Sequence, residues 1–193
     1  MITKQDMTAL AVSKLCHDLV NPLGALGNGV ELLELTGQAG GEEMALIKQA
    51  LGDATARLGF YRIAFGAGSD QLLSTDEIQR VLDPLNNHAR VTLSWTAQEP
   101  RTRHAVKRAF LGLMCAQSAL PMGGAAVYDG QTVTARGEGL SLDPALWPLL
   151  TEGGGDLPTA SSDIHFALLA QTMADQGRRA DLQTADGQLM LTL

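Results

Sequence analysis

A histidine, an acid and an amide lie within about one turn of an amphipathic helical pattern near the start of the chain. His17 is followed directly by Asp18, and Asn21 comes one turn later. Pro22 stands where the helix is expected to continue, although a proline inside a helix removes a hydrogen bond and costs about 3 kcal/mol or more. A neutral imidazole is a nucleophile, and an adjacent acid can fix its tautomer. Strain beside these groups indicates a functional site.

Cys16 stands directly before His17 and could be taken for half of a Cys–His nucleophile pair. Consecutive helical residues point about 100° apart and do not face each other, so we interpret Cys16 as a buried small hydrophobe. Cys115 is distant in sequence, and neither cysteine has metal-ligand spacing, which favours reduced thiols over a disulfide. The other histidines have no partner at metal or triad spacing, and we interpret them as surface or core residues: His88, His104 and His165.

Two apolar stripes dominate the first third of the chain. Their residues recur at intervals of three and four, which is typical of packed helices. The run TGQAGG predicts a turn between two antiparallel helices at roughly 3–36 and 42–66. A two-helix hairpin cannot bury both stripes, so we predict a four-helix bundle formed by dimerisation. The stripes comprise Leu19, Leu23, Leu26, Val30 and Leu33, then Met44, Ile47, Leu51, Ala54, Leu58, Tyr61 and Phe65.

Counting along the first stripe places His17 at its outer flank, beside a core position. We therefore expect its side chain to be open to solvent. Spacing alone is equally compatible with a plain surface histidine, and Asp18 and Asn21 have the same surface-polar alternative.

The remaining two thirds alternate helical patterns with strand pairs, after the linker-like GAGSD at 66–70. Ser74 and Glu77 form a capping box, and Thr102 can cap a longer helix. Residues 91–97 alternate as a half-buried strand. Helices between strand pairs predict one mixed sheet covered on a single face.

Two further helices and two hairpins complete the prediction for this part of the chain. Asp-Gly pairs predict the hairpin turns at 129–130 and 186–187. Asp143-Pro144 opens a short helix, and a longer one is expected at about 163–176. Trp95 and Trp147 are interpreted as core residues.

The order His17, Asp18, two variable residues, Asn21, Pro22 resembles the H-box of sensor histidine kinases. The surrounding CHDL, NP and GNGVELL are most similar to ChpT-type histidine phosphotransferases of alphaproteobacterial phosphorelays. The resemblance implies that residues 1–68 form a dimerisation and phosphotransfer hairpin in which His17 carries the phosphoryl group. It also implies that Asp18 orients the imidazole and that Asn21 hydrogen-bonds the phosphoryl group or its attacking water.

Residues 71–193 are similar in element order to the ATP-binding domain of histidine kinases. The kinase asparagine that helps to hold Mg²⁺ corresponds to Cys115, and the adenine-binding aspartate corresponds to Ala135 in ARGEGL. Neither residue can coordinate Mg²⁺ or accept a hydrogen bond from adenine. Gly153–Gly155 is not followed by the lysine of a phosphate loop. The resemblance therefore implies a fold of class α plus α/β, whose second part is a degenerate ATPase-like α/β sandwich without cofactor or metal.

The resemblance implies a homodimeric phosphotransferase that relays phosphoryl groups from the receiver domain of a hybrid kinase to response regulators. Mg²⁺ would be supplied by the partner receiver domain. An active, ATP-using histidine kinase and a non-catalytic adaptor or kinase inhibitor remain alternatives. Nucleotide binding would indicate the first, and the absence of phosphate on His17 would indicate the second. A basic patch is interpreted as a solvated helix face, with receiver docking as the alternative: Arg101, Arg103, Lys107 and Arg108.

Composition narrows the classes of partner. Of the 193 residues, 45 % are apolar and 18 % are charged, which is typical of a globular protein. The net charge of −7 argues against a nucleic-acid partner. The start, MITKQDMTAL, lacks the apolar run of a signal peptide, and no stretch reaches the ~18–20 apolar residues of a membrane span. We therefore expect a cytoplasmic protein with no membrane partner.

Overall fold

The computed structural model describes residues 4–37, 41–87, 89–153, 158–185 and 187–193. Two compact units make up the chain, one ending at Ala67 and the other extending from Gly68 to Leu193. The division falls within the GAGSD segment. His88 and Asp186, which carry two of the sequence-based interpretations, lie outside the described residues, as do two of the three glycines at 153–155.

The first unit is an antiparallel hairpin of two helices, α1 (Lys4–Leu35) and α2 (Glu42–Ala64). Both predicted helices are confirmed, and α1 continues through Pro22 as the uninterrupted apolar pattern indicates. An ion pair joins the two helices near the turn, where Nζ of Lys48 lies 2.6 Å from Oε1 of Glu34. Leu51 packs against Gly27, whose Cβ position would lie 3.7 Å from the leucine Cδ2 atom.

The described residues of the second unit form four helices and seven strands. In chain order these are β1 (Leu72–Leu73), α3 (Thr75–Leu82), β2 (Val91–Trp95), β3 (Arg101–Thr102), α4 (Arg103–Ser118), β4 (Gly124–Tyr128), β5 (Thr132–Arg136), α5 (Trp147–Thr151), α6 (Ile164–Ala174), β6 (Asp181–Ala185) and β7 (Gln188–Thr192). Short 3-10 turns follow α3 and precede α6.

Five strands form one mixed sheet in the order β2-β4-β5-β7-β6. The β2–β4 pair is parallel and the other pairs are antiparallel. In β2, β4, β5 and β7 most successive residues alternate between buried and more exposed, so one face of the sheet is covered and the other is partly exposed. Helix α4 packs on β4, β5 and β7, while α6 packs on α4 and α5. The predicted mixed sheet with a single covered face is confirmed.

Local signals define the starts of two helices and one hairpin turn in this unit. The hydroxyl of Ser74 accepts a hydrogen bond from the backbone of Glu77 at 3.3 Å, and the Glu77 carboxylate accepts one from the backbone of Ser74 at 2.8 Å. Thr102 caps α4 by accepting from the backbone of Ala105. At the β4–β5 turn, Gly130 has a φ of 114° that favours glycine, and Asp129 accepts two backbone hydrogen bonds. These capping and turn predictions are confirmed.

The structure differs from the sequence-based predictions at a helix start, at a short strand pair and at one side chain that pairs with a strand. Asp143 does not open a helix: its carboxylate and carbonyl close a turn, and α5 begins only at Trp147. The two-residue pair β1–β3 was not predicted, because strands this short carry no periodicity. Asn86 was also missed as a strand partner, although its side-chain amide forms hydrogen bonds with both the N–H and the C=O of Leu93.

The core of the second unit lies between the covered face of the sheet and the helices. Trp95 and Trp147 are each 4 % exposed, which confirms their interpretation as core residues. Trp95 packs on Tyr128 and Phe110, and Trp147 packs edge-on against Phe166. Buried aromatic side chains of this kind dominate the energetics of a core.

Candidate functional site

His17 lies on the exposed surface of α1, and 75 % of its side chain is open to solvent. The expectation that solvent can reach this side chain is confirmed. Its Nδ1 atom is 3.6 Å from Oδ1 of Asp18, and the carboxylate is itself half exposed. This separation is too long for a hydrogen bond, but it allows electrostatic attraction to any positive charge that develops on the ring. Asp18 is therefore placed to act on the Nδ1 side of the imidazole.

The position of His17 on the helix differs from the predicted flank of the apolar stripe. At about 100° per residue, His17 lies roughly 160° around α1 from Leu19. Asn21 lies one turn further on the same side as His17, and it is also exposed. The two side chains thus share one face of α1, which lies roughly opposite the row that contains Leu19, Leu26 and Leu33.

The structure divides the predicted α1 stripe into two rows. One row faces the interior of the hairpin and contains Cys16, Leu23, Gly27 and Val30, which are buried or half-buried. The other row remains exposed, with Leu26 at 60 %, and it contains Leu15, Leu19, Pro22, Leu26 and Leu33. On α2 the exposed positions Ile47, Ala54 and Tyr61 recur every seven residues. A seven-residue repeat of apolar positions is typical of a helix surface that packs on further helices.

The positive charge of Arg62 on α2 affects Cys16, the residue next to His17. Cys16 is 5 % exposed, and burial raises the pKa of its thiol while the positive charge of Arg62 partly lowers it. The interpretation of Cys16 as a buried small hydrophobe is confirmed. Sequence reasoning missed Arg62, although its position four residues after Leu58 was a signal that it continues an inward-facing row.

In the second unit, solvent cannot reach the two residues that the sequence resemblance aligns with kinase ligands. Cys115 and Ala135 are both fully buried. Burial raises the pKa of the Cys115 thiol well above its ordinary value. Ala135 lies on the covered face of the sheet, paired with Ala126 on one side and Leu189 on the other. Neither side chain presents an oxygen ligand.

The glycines around these positions serve close backbone packing. A Cβ atom on Gly137 would overlap the carbonyl oxygen of Gly123 and the side chain of Leu120. Beyond Gly137, the N–H of Ser141 donates a 3.0 Å hydrogen bond to the carbonyl of Ala119. The turn that follows β5 is therefore attached to the end of α4.

The basic patch on α4 is only partly a solvated face. Lys107 is 7 % exposed, and burial lowers its pKa, as does the neighbouring Arg103, against an opposing effect of Asp175. Arg108 donates a 2.5 Å hydrogen bond to Oε1 of Gln176. The interpretation as a solvated face is wrong for Lys107, because α6 and its C-terminal turn cover that side of α4.

The remaining histidines fall into two classes. His104 is exposed. His165 is 3 % exposed, and its Nε2 atom lies 3.2 Å from the hydroxyl of Ser118, which in turn donates to the carbonyl of Met114. Burial lowers the pKa of His165, although Asp163 opposes part of the effect. His165 is thus a core histidine with a hydrogen-bond partner.

Within the described residues, no three His, Cys, Asp or Glu side chains are grouped closely enough to hold a metal ion. No helix in the same part of the chain has the length and apolar character needed to cross a membrane.

Three comparisons relate the chain to known proteins. Residues 75–188 match the family described as histidine phosphotransferase C-terminal domain. Protein phosphotransferase ChpT of Brucella abortus (strain 2308) is 36 % identical over 142 residues, which cover 72 % of this chain and 64 % of that relative. The match thus spans less than two thirds of the curated relative. A solved structure described as a bacterial phosphotransferase is 27 % identical, covers 100 % of this chain and 97 % of its own, and superposes with a TM-score of 0.68.

Proposed function

Because this chain belongs to the histidine phosphotransferase C-terminal domain family, we propose that it relays phosphoryl groups between receiver-domain aspartates through His17. The donor would be the receiver domain of a hybrid kinase, and the acceptors would be response regulators. The observation that carries the proposal is the 75 % exposed imidazole of His17 with an acid on its Nδ1 side. An exposed nucleophile is required, since the phosphoryl group arrives on another protein.

In the proposed reaction, Nε2 of His17 attacks the phosphorus of an aspartyl phosphate. The N–P bond forms as the P–O bond to the aspartate breaks, and the aspartate leaves as a carboxylate. The proton stays on Nδ1, so the phosphorylated ring is cationic, and the negative charge of Asp18 stabilises it. The reverse sequence on a second receiver regenerates the neutral imidazole and completes the relay.

Phosphoryl transfer depends on positioning and charge neutralisation more than on covalent chemistry by the protein. We assign to Asn21 a hydrogen bond to the phosphoryl group or its attacking water, since its side chain is exposed on the same side of α1 as His17. Mg²⁺ would enter with the acidic pocket of the receiver domain.

The proposed working unit is a homodimer held by α1 and α2. The exposed row of α1 and the seven-residue repeat on α2 leave apolar surface that a second hairpin would cover, giving a four-helix bundle. Each leucine that becomes fully buried contributes roughly 1.5–3 kcal/mol. His17 lies on the opposite side of α1 from the exposed row, so dimerisation through that row would leave it open to a receiver.

The second unit would be a degenerate ATPase-like sandwich that binds no nucleotide. The buried Cys115 and Ala135 support this proposal, because a thiol and a methyl group replace the polar ligands of the kinases. The attachment of Ser141 to the end of α4 also supports a structural use of the turn after β5.

The test is transfer of labelled phosphate from a phosphorylated receiver domain to the full chain and then to a second receiver. We expect label on the wild-type protein that is acid-labile and base-stable, as a phosphoramidate is. His17→Ala should take no label, while its stability changes by no more than about 0.5 kcal/mol, since the site is exposed. Asp18→Ala should take label more slowly, because its charge assists but carries no phosphate.

Two results would contradict the proposal. Undiminished relay through His17→Ala would leave the adaptor alternative in its place. Label appearing on His17 from ATP alone would indicate an active kinase instead.

A further inference from the structure

Arg62 continues the row of α2 side chains that faces α1. Leu51 packs against Gly27 of α1, and Leu58, seven residues later, is buried. Arg62 follows Leu58 by four residues, so it lies one turn further along the same face. It is exposed, which is typical of an arginine that keeps its guanidinium in water while its stem lies along apolar neighbours.

The register of the hairpin places Arg62 level with His17. The ion pair between Glu34 and Lys48 fixes one end of the register, and the Gly27–Leu51 contact fixes its middle. In an antiparallel pair, moving one residue toward the start of α1 corresponds to moving one residue toward the end of α2. Extended to Arg62, this register reaches residues about 16–20 of α1, which is the helical turn that contains His17.

An electrostatic observation agrees with this register. The charge of Arg62 acts on the Cys16 thiol and lowers its pKa against the larger effect of burial. Because Coulomb interactions weaken with distance, this effect agrees with a position of Arg62 at the level of Cys16, the residue next to His17. Packing, ion-pair geometry and electrostatics thus agree on a register that brings Arg62 to the level of Cys16 and His17.

We propose that Arg62 neutralises the negative charge of the phosphoryl group while it moves to and from Nε2 of His17. The inference rests on the proposed function of His17. In the transition state the charge is spread over three equatorial oxygens, and the planar fork of a guanidinium can donate hydrogen bonds to two of them. Arg62 gives up no proton: the N–P bond forms and the P–O bond breaks while its own charge is unchanged.

The experiment is single-turnover transfer from a phosphorylated receiver to the full-length protein, over a range of receiver concentrations. Arg62→Gln removes the charge, and Arg62→Lys keeps it without the fork. Arg57→Gln is the matched control, because Arg57 is exposed on the same helix but points about 140° away from Arg62. The Cys16 thiol is titrated in each variant as an independent measure of where the charge lies.

We expect Arg62→Gln to lower the phosphoryl-transfer rate at saturating receiver by roughly ten- to a hundredfold. The receiver concentration that gives half of the maximal rate should change little. Arg62→Lys should be intermediate, and Arg57→Gln should equal wild type. The pKa of the Cys16 thiol should rise in Arg62→Gln and stay unchanged in Arg57→Gln.

Three outcomes would overturn the inference. The first is that His17 is labelled as fast in Arg62→Gln as in wild type, and the second is that Arg57→Gln is slowed as much as Arg62→Gln. The third is that the whole effect of Arg62→Gln falls on the half-saturating concentration of receiver, as for a docking contact. Each leaves His17 labelled and the proposed function intact. Failure of wild type to take label on His17 would instead remove the proposed function, and this inference with it.

Discussion

The carbonyl oxygen of Gly123 lies well inside van der Waals contact of the position that a Cβ atom on Gly137 would occupy. This approach brings the turn before β4 against the turn after β5. Close backbone packing is therefore a physical reason for a glycine at this position of ARGEGL, and that reason requires no nucleotide.

Replacing Gly137 with alanine should destabilise the second unit by about 1–3 kcal/mol, the usual cost of forcing atoms into a packed site. The measurement is the denaturant midpoint of the full chain. Gly52→Ala is the control, because its Cβ would meet open space and alanine favours a helix by up to about 1 kcal/mol. Equal stability of Gly137→Ala and wild type would show that the two turns can separate at no cost.

Replacing Leu26 with glutamate should convert the proposed homodimer to a monomer with a folded hairpin. Leu26 is 60 % exposed in the row that we assign to the dimer. Leu32→Glu is the matched control: it is 62 % exposed on the same helix, about 120° around from Leu26, and should stay dimeric. Light scattering at micromolar concentration measures both, and a monomeric wild type would contradict the proposal. Charged replacements at Leu51 or Leu58 would instead disrupt the hairpin itself, because these residues face its interior.

The stability of the second unit should decrease as the pH falls below about 6.5, the ordinary pKa of histidine. Burial lowers the pKa of His165 in the folded protein, so the unfolded chain binds a proton that the native state does not. The loss of stability continues until the pH reaches the pKa of His165 in the folded protein, with a slope of at most about 1.4 kcal/mol per pH unit. Urea denaturation between pH 5 and 8 measures it.

His165→Gln should flatten this pH profile, whereas His104→Gln, at an exposed position on α4, should leave it as in wild type. A profile that is unaltered by His165→Gln would assign the pH dependence to other groups.

ATP with Mg²⁺ should produce no binding signal in calorimetry. The physical reason is that Cys115 and Ala135 are apolar and fully buried at the positions that correspond to kinase ligands. A histidine kinase that binds ATP, titrated in parallel, controls for the sensitivity of the measurement. A dissociation constant in the low micromolar range would contradict the proposed degenerate domain.

Helix caps and turns could be predicted from the sequence because the residues that form their hydrogen bonds are close together in the chain. The cap of Ser74 on Glu77, the cap of Thr102 on α4 and the Asp129 turn all join residues within four positions of one another. The adjacency of His17 and Asp18 is of the same kind. Hydrophobic periodicity likewise predicted both long helices, and the alternation of helices with strand pairs predicted the single covered face of the sheet.

Pairings between distant segments were decided only by the tertiary structure. Leu23 and Leu26 belong to one periodic stripe in the sequence, yet the position of α2 makes one half-buried and leaves the other exposed. Lys107 looks like a surface residue until α6 covers it. Arg62 reaches the level of Cys16 only through the register of the hairpin. Periodicity shows which face of a helix is apolar, but it carries no information about which element covers that face. That choice is made by packing.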